Sequence, residues 1–272
     1  MSLNLNRTIT ITGLLLSLIA FAWSCEQVSD LPDSGQNVEM PVIEATITNK
    51  NEVQRVKISY TSTLNSNMLR PVENALVRVW TNAGDTFIFL HRDSGEYQSE
   101  SFAVEFGKTY TLAVETPDFK AVAVSEAMPV NPIDSLYCRL KNIKSSSYHV
   151  FLNAGTVDPV IVRYYLIQAY KQGKLLTKGD EIWLIEDKFL DDLNNLELFY
   201  DFHAGDTLDF ELQSLTKPLF NYYTFLQNLF LNNQLFSHNY RLNPPALFTG
   251  NVLGYFQVSM VSRRRIIIPE VP

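Results

Sequence analysis

Residue types able to do chemistry are sparse in this sequence and mostly isolated. The four histidines, His91, His149, His203 and His238, have no second histidine or cysteine at metal-ligand spacing, so no zinc site is expected. No G-x-S-x-G elbow, H-E-x-x-H pair, P-loop or G-x-G-x-x-G turn occurs. His203 has carboxylates nearby in Asp201-Phe202-His203-Ala204-Gly205-Asp206, and a polar turn accounts for them. Glu186-Asp187 and Asp191-Asp192 are carboxylate pairs. Acid–base catalysis needs two carboxylates facing each other across a cleft, whereas neighbours in a loop point apart. These pairs read as a solvated face, and calcium at Asp187, Asp191 and Asp192 would lack EF-hand spacing. The expectation is a protein without catalytic residues, metal or cofactor.

The most specific chemistry belongs to Cys25. Arg7 is the only charge before residue 26, and the apolar run Gly13–Ala22 follows it. That order is the form of a signal peptide, here residues 1–24. The run is too short to span a bilayer, which takes about 20 apolar residues. Ala22-Trp23-Ser24-Cys25 resembles a bacterial lipobox, in which the cysteine is acylated by palmitate-type chains and becomes the first mature residue. Ala22 stands where leucine is usual, and Trp23 is an unusual neighbour. A cut after Ala22, at Ala20-Phe21-Ala22, would instead give a periplasmic or secreted protein. Glu26–Asn37 is polar, acidic and rich in turn formers, a flexible tether at 25–37. Acyl chains would hold the protein on a membrane at about 0.8 kcal/mol per buried CH₂. With Cys25 acylated, Cys138 has no cysteine to pair with and reads as a buried thiol. With Cys25 free, a Cys25–Cys138 disulfide is the alternative.

Composition sets the broader limits. The chain has 272 residues, 46% apolar and 19% charged, with a net charge of −7. That excludes a disordered chain, and the acidic balance argues against a nucleic-acid partner. Removing residues 1–24 takes away Arg7 and makes the remainder more acidic still. Aromatic residues crowd the late chain, among them Phe220, Tyr222, Tyr223, Tyr240, Phe248, Tyr255 and Phe256. Tyr222, Tyr223 and Tyr240 are candidates for a surface that stacks on sugars; the plainer reading packs them between helix and sheet. Arg263-Arg264-Arg265 reads as a solvated strand end.

The elements that would position these residues are mostly strands. Pro41–Thr48, Gln54–Thr61, Ala75–Trp80, Thr86–Leu90, Lys108–Glu115 and Phe119–Val124 alternate, with turns at regular spacing between them, one of them at Asp93–Tyr97. This predicts a β-sandwich domain at 38–129. Two prolines in Pro129-Val130-Asn131-Pro132 mark a linker at 130–135. Residues 136–272 read as a second β-rich domain, with strands at Tyr148–Asn153, Val160–Tyr170, Thr207–Leu215 and Gly254–Ser262. It carries one amphipathic helix at about 218–233, opened by Pro218. Asp187–Asp201 is ambiguous.

Two resemblances add to this reading. Pro71-Val72-Glu73-Asn74-Ala75, Gly95-Glu96-Tyr97 and Gly107-Lys108-Thr109-Tyr110-Thr111-Leu112 resemble the Ig-like, transthyretin-like sandwich modules that bind or brace. Those elements are joined by Cys25 and its tether, Met128-Pro129, Ile133-Asp134-Ser135-Leu136, the aromatic helix and Asn251-Val252-Leu253-Gly254-Tyr255-Phe256. Taken together, the chain resembles domain-of-unknown-function family 4249, lipoproteins of the Bacteroidota-type cell envelope. Asn251, Gly254, Tyr255 and Phe256 are its motif residues, whose plain role is a tight turn into a core strand. The resemblance implies a cell-envelope lipoprotein often encoded beside TonB-dependent outer-membrane receptors, and it supplies no activity. With the lipobox, the tether and no catalytic constellation, the expectation is a non-enzymatic outer-membrane lipoprotein, surface-exposed in one version, that assists such a receptor. A glycan-binding or adhesive module and a hydrolase with a non-standard site are the alternatives.

Overall fold

The structure, a computed structural model, describes residues 39–61, 69–142, 147–155, 162–177, 182–187, 193–233 and 244–270. The expected signal peptide, Cys25, the tether and Tyr240 lie outside these residues. The described chain is mainly β and sandwich-like, with one long helix among the described residues.

The first half supplies β1 (Pro41–Thr48), β2 (Glu52–Tyr60), β3 (Arg70–Pro71), β4 (Leu76–Thr81), β5 (Thr86–Asp93), β6 (Glu96–Phe102), β7 (Thr109–Glu115) and β8 (Lys120–Glu126). Alternation with period two drives each of them. In β1, Ile43, Ala45 and Ile47 are fully buried while Glu44 and Thr46 face outward. In β2, Val56 and Ile58 go inward and Arg55 and Lys57 outward. The second half supplies β9 (Ser135–Asn142), β10 (Ser147–Ala154), β11 (Tyr164–Lys171), β12 (Lys174–Leu175), β13 (Trp183–Glu186), β14 (Leu193–His203) and β15 (Thr207–Leu215). Helix α1 (Lys217–Asn233) follows, then β16 (Leu253–Ser259) and β17 (Val261–Ile267).

The first sheet runs β16-β1-β2-β6-β5-β4-β7-β8, with β3 added on β2. It curls until Met128, just beyond β8, bridges Ser259 of β16, so the sheet is nearly closed. Ile43, Ile58, Val79, Tyr97, Leu112 and Phe256 fill its interior. In the second half, a sheet β14-β10-β9 faces a sheet β12-β11-β15-β17, with β13 on β11. Val150, Leu152, Ile167, Leu198, Phe210 and Leu212 pack between the two. Helix α1 covers part of the outer face of β11 and β15, setting Leu219, Tyr222 and Tyr223 against Leu166 and Leu215. Among the described residues no helix is long and apolar enough to cross a membrane.

Three features depart from the pattern read in the sequence. β6 occupies Glu96–Phe102, where only a turn was visible. The segment expected as one final strand breaks at Met260 into β16 and β17, which join different sheets. Strand pairing also crosses the boundary placed at 130–135: β16, from the C-terminal half, lies parallel to β1 with Ile43 opposite Gly254 and Ala45 opposite Phe256. Residues 39–272 form one compact unit.

Candidate functional site

Two polar sheet faces meet to form a cleft of about 560 Å³. One wall is the outer face of the first sheet. Strand register places Tyr255, Glu44, Lys57 and Glu96 in one row across β16, β1, β2 and β6, and Gln257, Thr46, Arg55 and Gln98 in the next. The opposite wall is the outer face of β11 and β15, presenting Gln168, Tyr170, Glu211 and Gln213. That face is apolar where α1 covers it, at Leu166 and Leu215, and polar where it opens to the cleft.

A chain of hydrogen bonds closes the inner end. Tyr223 donates to Gln257 Oε1 at 2.7 Å, Gln257 donates to Gln213 Oε1 at 2.8 Å, and Gln213 donates to Gln168 Oε1 at 2.8 Å and Glu211 Oε2 at 3.1 Å. Ser259 Oγ donates to the Ser214 carbonyl at 2.7 Å. Lys50, from the β1–β2 turn, spans the cleft to Glu211 Oε1 at 2.7 Å. The Glu211 side chain is only 2% exposed, so this contact stands in a low dielectric and ties the two walls together. At the mouth Arg55 meets Glu96 at 2.8 Å. Tyr170 donates to Gln168 Oε1 at 2.7 Å. Burial, then the neighbouring Glu211 carboxylate, pushes the Tyr170 phenol up to about 12, so it acts as a neutral hydrogen-bonding group.

Beside the cleft, Arg263 and Arg265 of β17 are exposed, as the solvated reading has it, but they are also paired with carboxylates. Arg265 grips Asp209 with two bonds of 2.9 Å, and Arg263 reaches Asp209 at 3.2 Å and Glu211 at 3.9 Å. The fork on a carboxylate is the geometry arginine favours. The Arg265 hydrogen bond, followed by Arg263, holds the Asp209 carboxyl below the usual carboxylate range.

The motif residues separate. Asn251 is exposed, and Phe256 is 3% exposed inside the first sheet. Tyr255 lines the cleft and packs against Tyr222 and Tyr223, with ring centroids 5.8 and 5.5 Å away. Gly254 does not make a turn: it lies within β16, where a Cβ would stand 1.9 Å from the carbonyl oxygen of Ile43. Tyr222 and Tyr223 are 6% and 8% exposed, which corrects their reading as a stacking surface. They pack the helix onto the sheet, because their spacing puts both on its apolar stripe. Cys138 is half-buried against the second core, and burial raises its thiol pKa.

Two polar groupings escaped the sequence reading. Asp187 is not on a solvated face: it is buried, accepts a hydrogen bond from the Arg163 backbone N–H, and is pushed above its ordinary pKa by burial. His149 pairs through Nδ1 with Glu197 and lies 3.8 Å through Nε2 from Asp201, which Lys141 holds at 2.7 Å. These side chains stand on the outer face of the β14-β10-β9 sheet, outside the cleft. His203 is exposed at a turn whose backbone N–H bonds Asp206 at 2.9 Å, and His91 is exposed on β5. Among the described residues no group of three or more His, Cys, Asp or Glu side chains is arranged to hold a metal ion.

A family model described as domain of unknown function (DUF4249) matches residues 26–265. Among curated proteins no relative matches the chain.

Proposed function

The chain belongs to the DUF4249 family, and on that premise we propose that it is an outer-membrane lipoprotein that binds and does not catalyse, acting as the accessory of a TonB-dependent transporter. The observation that carries the reading is the context of Cys25. The cysteine follows Ala22-Trp23-Ser24, and a polar, acidic segment leads from it into the β-rich body. The family match opens at residue 26, directly after that cysteine. Acyl chains on Cys25 would anchor the protein, and residues 26–37 would hold an acidic body off an anionic surface. The cleft supports binding: its floor carboxylate Glu211 is paired with Lys50 and accepts a hydrogen bond from Gln213, which fixes it in place between the two walls.

The anchor is tested by metabolic labelling with a radioactive fatty acid. The wild type is expected to take up label and Cys25→Ala to lose it; equal labelling of both sinks the lipid anchor. The partner is tested by affinity capture from outer membranes in mild detergent, where a TonB-dependent transporter is expected to co-purify. Its absence removes that half of the reading.

A further inference from the structure

We infer that the cleft between the first sheet and the β11–β15 face is a binding site for a neutral saccharide. The inference rests on the binding role proposed above and names the ligand class. Its argument is one of exclusion followed by fit.

The lining carries four carboxylates, Glu44, Glu52, Glu96 and Glu211, against three cations, Lys50, Arg55 and Lys57. Each cation has a carboxylate beside it: Lys50 meets Glu211 at 2.7 Å, Arg55 meets Glu96 at 2.8 Å, and Lys57 is directly opposite Glu44 on β1 and Glu96 on β6. Interleaving of this kind leaves no patch of one sign to attract an anion such as phosphate, or a metal cation. An apolar ligand is excluded as well, since Val53 and the rings of Tyr170 and Tyr255 are the main apolar surface present. An extended peptide would need a free strand edge to bond its backbone. Here β1 and β2 are interior strands of one wall, and β11 and β15 are paired on both sides in the other.

What remains is a neutral ligand with many hydroxyl groups. Carboxylates, guanidinium and side-chain amides are planar groups that can each bond two neighbouring hydroxyls at once. The cleft offers Glu44, Arg55, Glu96 and the Thr46 hydroxyl on one wall and the Gln168 NH₂ on the other, with Tyr170 presenting a neutral phenol and a ring. Its volume of about 560 Å³ lies within the ordinary range for small-ligand sites.

The test is titration calorimetry on the full-length protein in detergent. The probes are maltotetraose, cellotetraose, mannotetraose and chitotetraose, with oligogalacturonate and inorganic phosphate as charged controls. At least one neutral tetrasaccharide is expected to bind, with a Kd raised tenfold or more by Tyr170→Ala and by Glu44→Gln, while circular dichroism and the unfolding midpoint stay near wild type. Glu44→Gln keeps shape and removes only charge, so it serves if Tyr170→Ala disturbs folding. Failure of every neutral probe at 10 mM-order concentration (roughly the weak limit of useful affinities) overturns the inference. So does binding of the charged controls alone, or binding that survives both substitutions. Transporter capture is scored separately: if the transporter co-purifies and no saccharide binds, the inference fails and the accessory role stands.

Discussion

At the scale of single residues, Gly254 shows how one missing side chain sets a backbone path. Its φ is +111°, and a Cβ would fall 1.9 Å from the Ile43 oxygen and 2.7 Å from the Ile43 carbonyl carbon. Both atoms belong to the interior strand β1 and cannot step aside. Gly254→Ala is expected to destabilise by more than about 3 kcal/mol, combining backbone strain with a clash. Gly84 also has positive φ, at +97°, but nothing lies within 4 Å of its Cβ position. Gly84→Ala should cost only the strain, about 1–2 kcal/mol. Urea unfolding of the two variants checks the contrast. Asp209 makes a pH prediction. Its folded-state pKa is lowered by Arg265 first and Arg263 next. Its contribution is therefore present above the ordinary aspartate pKa and is lost as pH falls through the lower folded value. Stability should fall on acidification in that window, and Asp209→Asn should flatten the slope in unfolding curves measured from pH 6 downward.

At the scale of elements, helix α1 is tied to the first sheet by a buried bond from Tyr223 to Gln257. Tyr223→Phe keeps the packing and leaves the buried Gln257 carbonyl without its donor, a loss of about 1–2 kcal/mol in unfolding free energy. How much of each element can be read in the chain depends on what its two faces bury. β1 and β15 match the sequence reading end to end, because an apolar residue recurs at every second position through Ile43–Ile47 and Leu208–Leu212. β6 was hidden because Glu96-Tyr-Gln-Ser-Glu-Ser-Phe102 buries Ser99 between Tyr97 and Phe102, and its pairing with β2 shifts register between Val53 and Arg55. β17 was hidden because its three arginines are exposed and read as a solvated run, and only the fold sets Asp209 opposite Arg265 and Glu211 opposite Arg263. The cleft was hidden for a further reason. Glu44, Thr46, Arg55 and Lys57 are what any solvated sheet face shows, and only tertiary structure brings Gln168, Tyr170 and Glu211 across from them.

For the whole molecule, the last strands decide whether there are one or two folding units. The sequence separates two β-rich domains at 130–135, since local patterns register strands and turns but not which distant strand closes a sheet. β16 belongs to the first sheet and β17 to the second, with only Met260 between them. Asn49 and the backbone of Val261 exchange hydrogen bonds across 212 residues of sequence, at 2.8 and 3.3 Å. The body is thus expected to unfold in a single transition, which calorimetry checks through the agreement of calorimetric and van't Hoff enthalpies. Deleting residues 253–272 takes a strand from both sheets at once and should abolish that transition altogether; a shortened protein that kept the melt of an independent 39–129 domain would contradict this.

The parallel pairing of β1 with β16 also fixes an order of events. β1 is among the first strands of the body to be synthesised, and its neighbour on one side is among the last. Closing a loop of that length costs conformational entropy before any contact repays it, so completion of the first sheet is a slow, late step. Until then β1 presents an open edge able to pair wrongly with other chains. A chain wired this way completes its first sheet only after residues 253–259 have been made, so one released before them is expected to keep β1 open on that side.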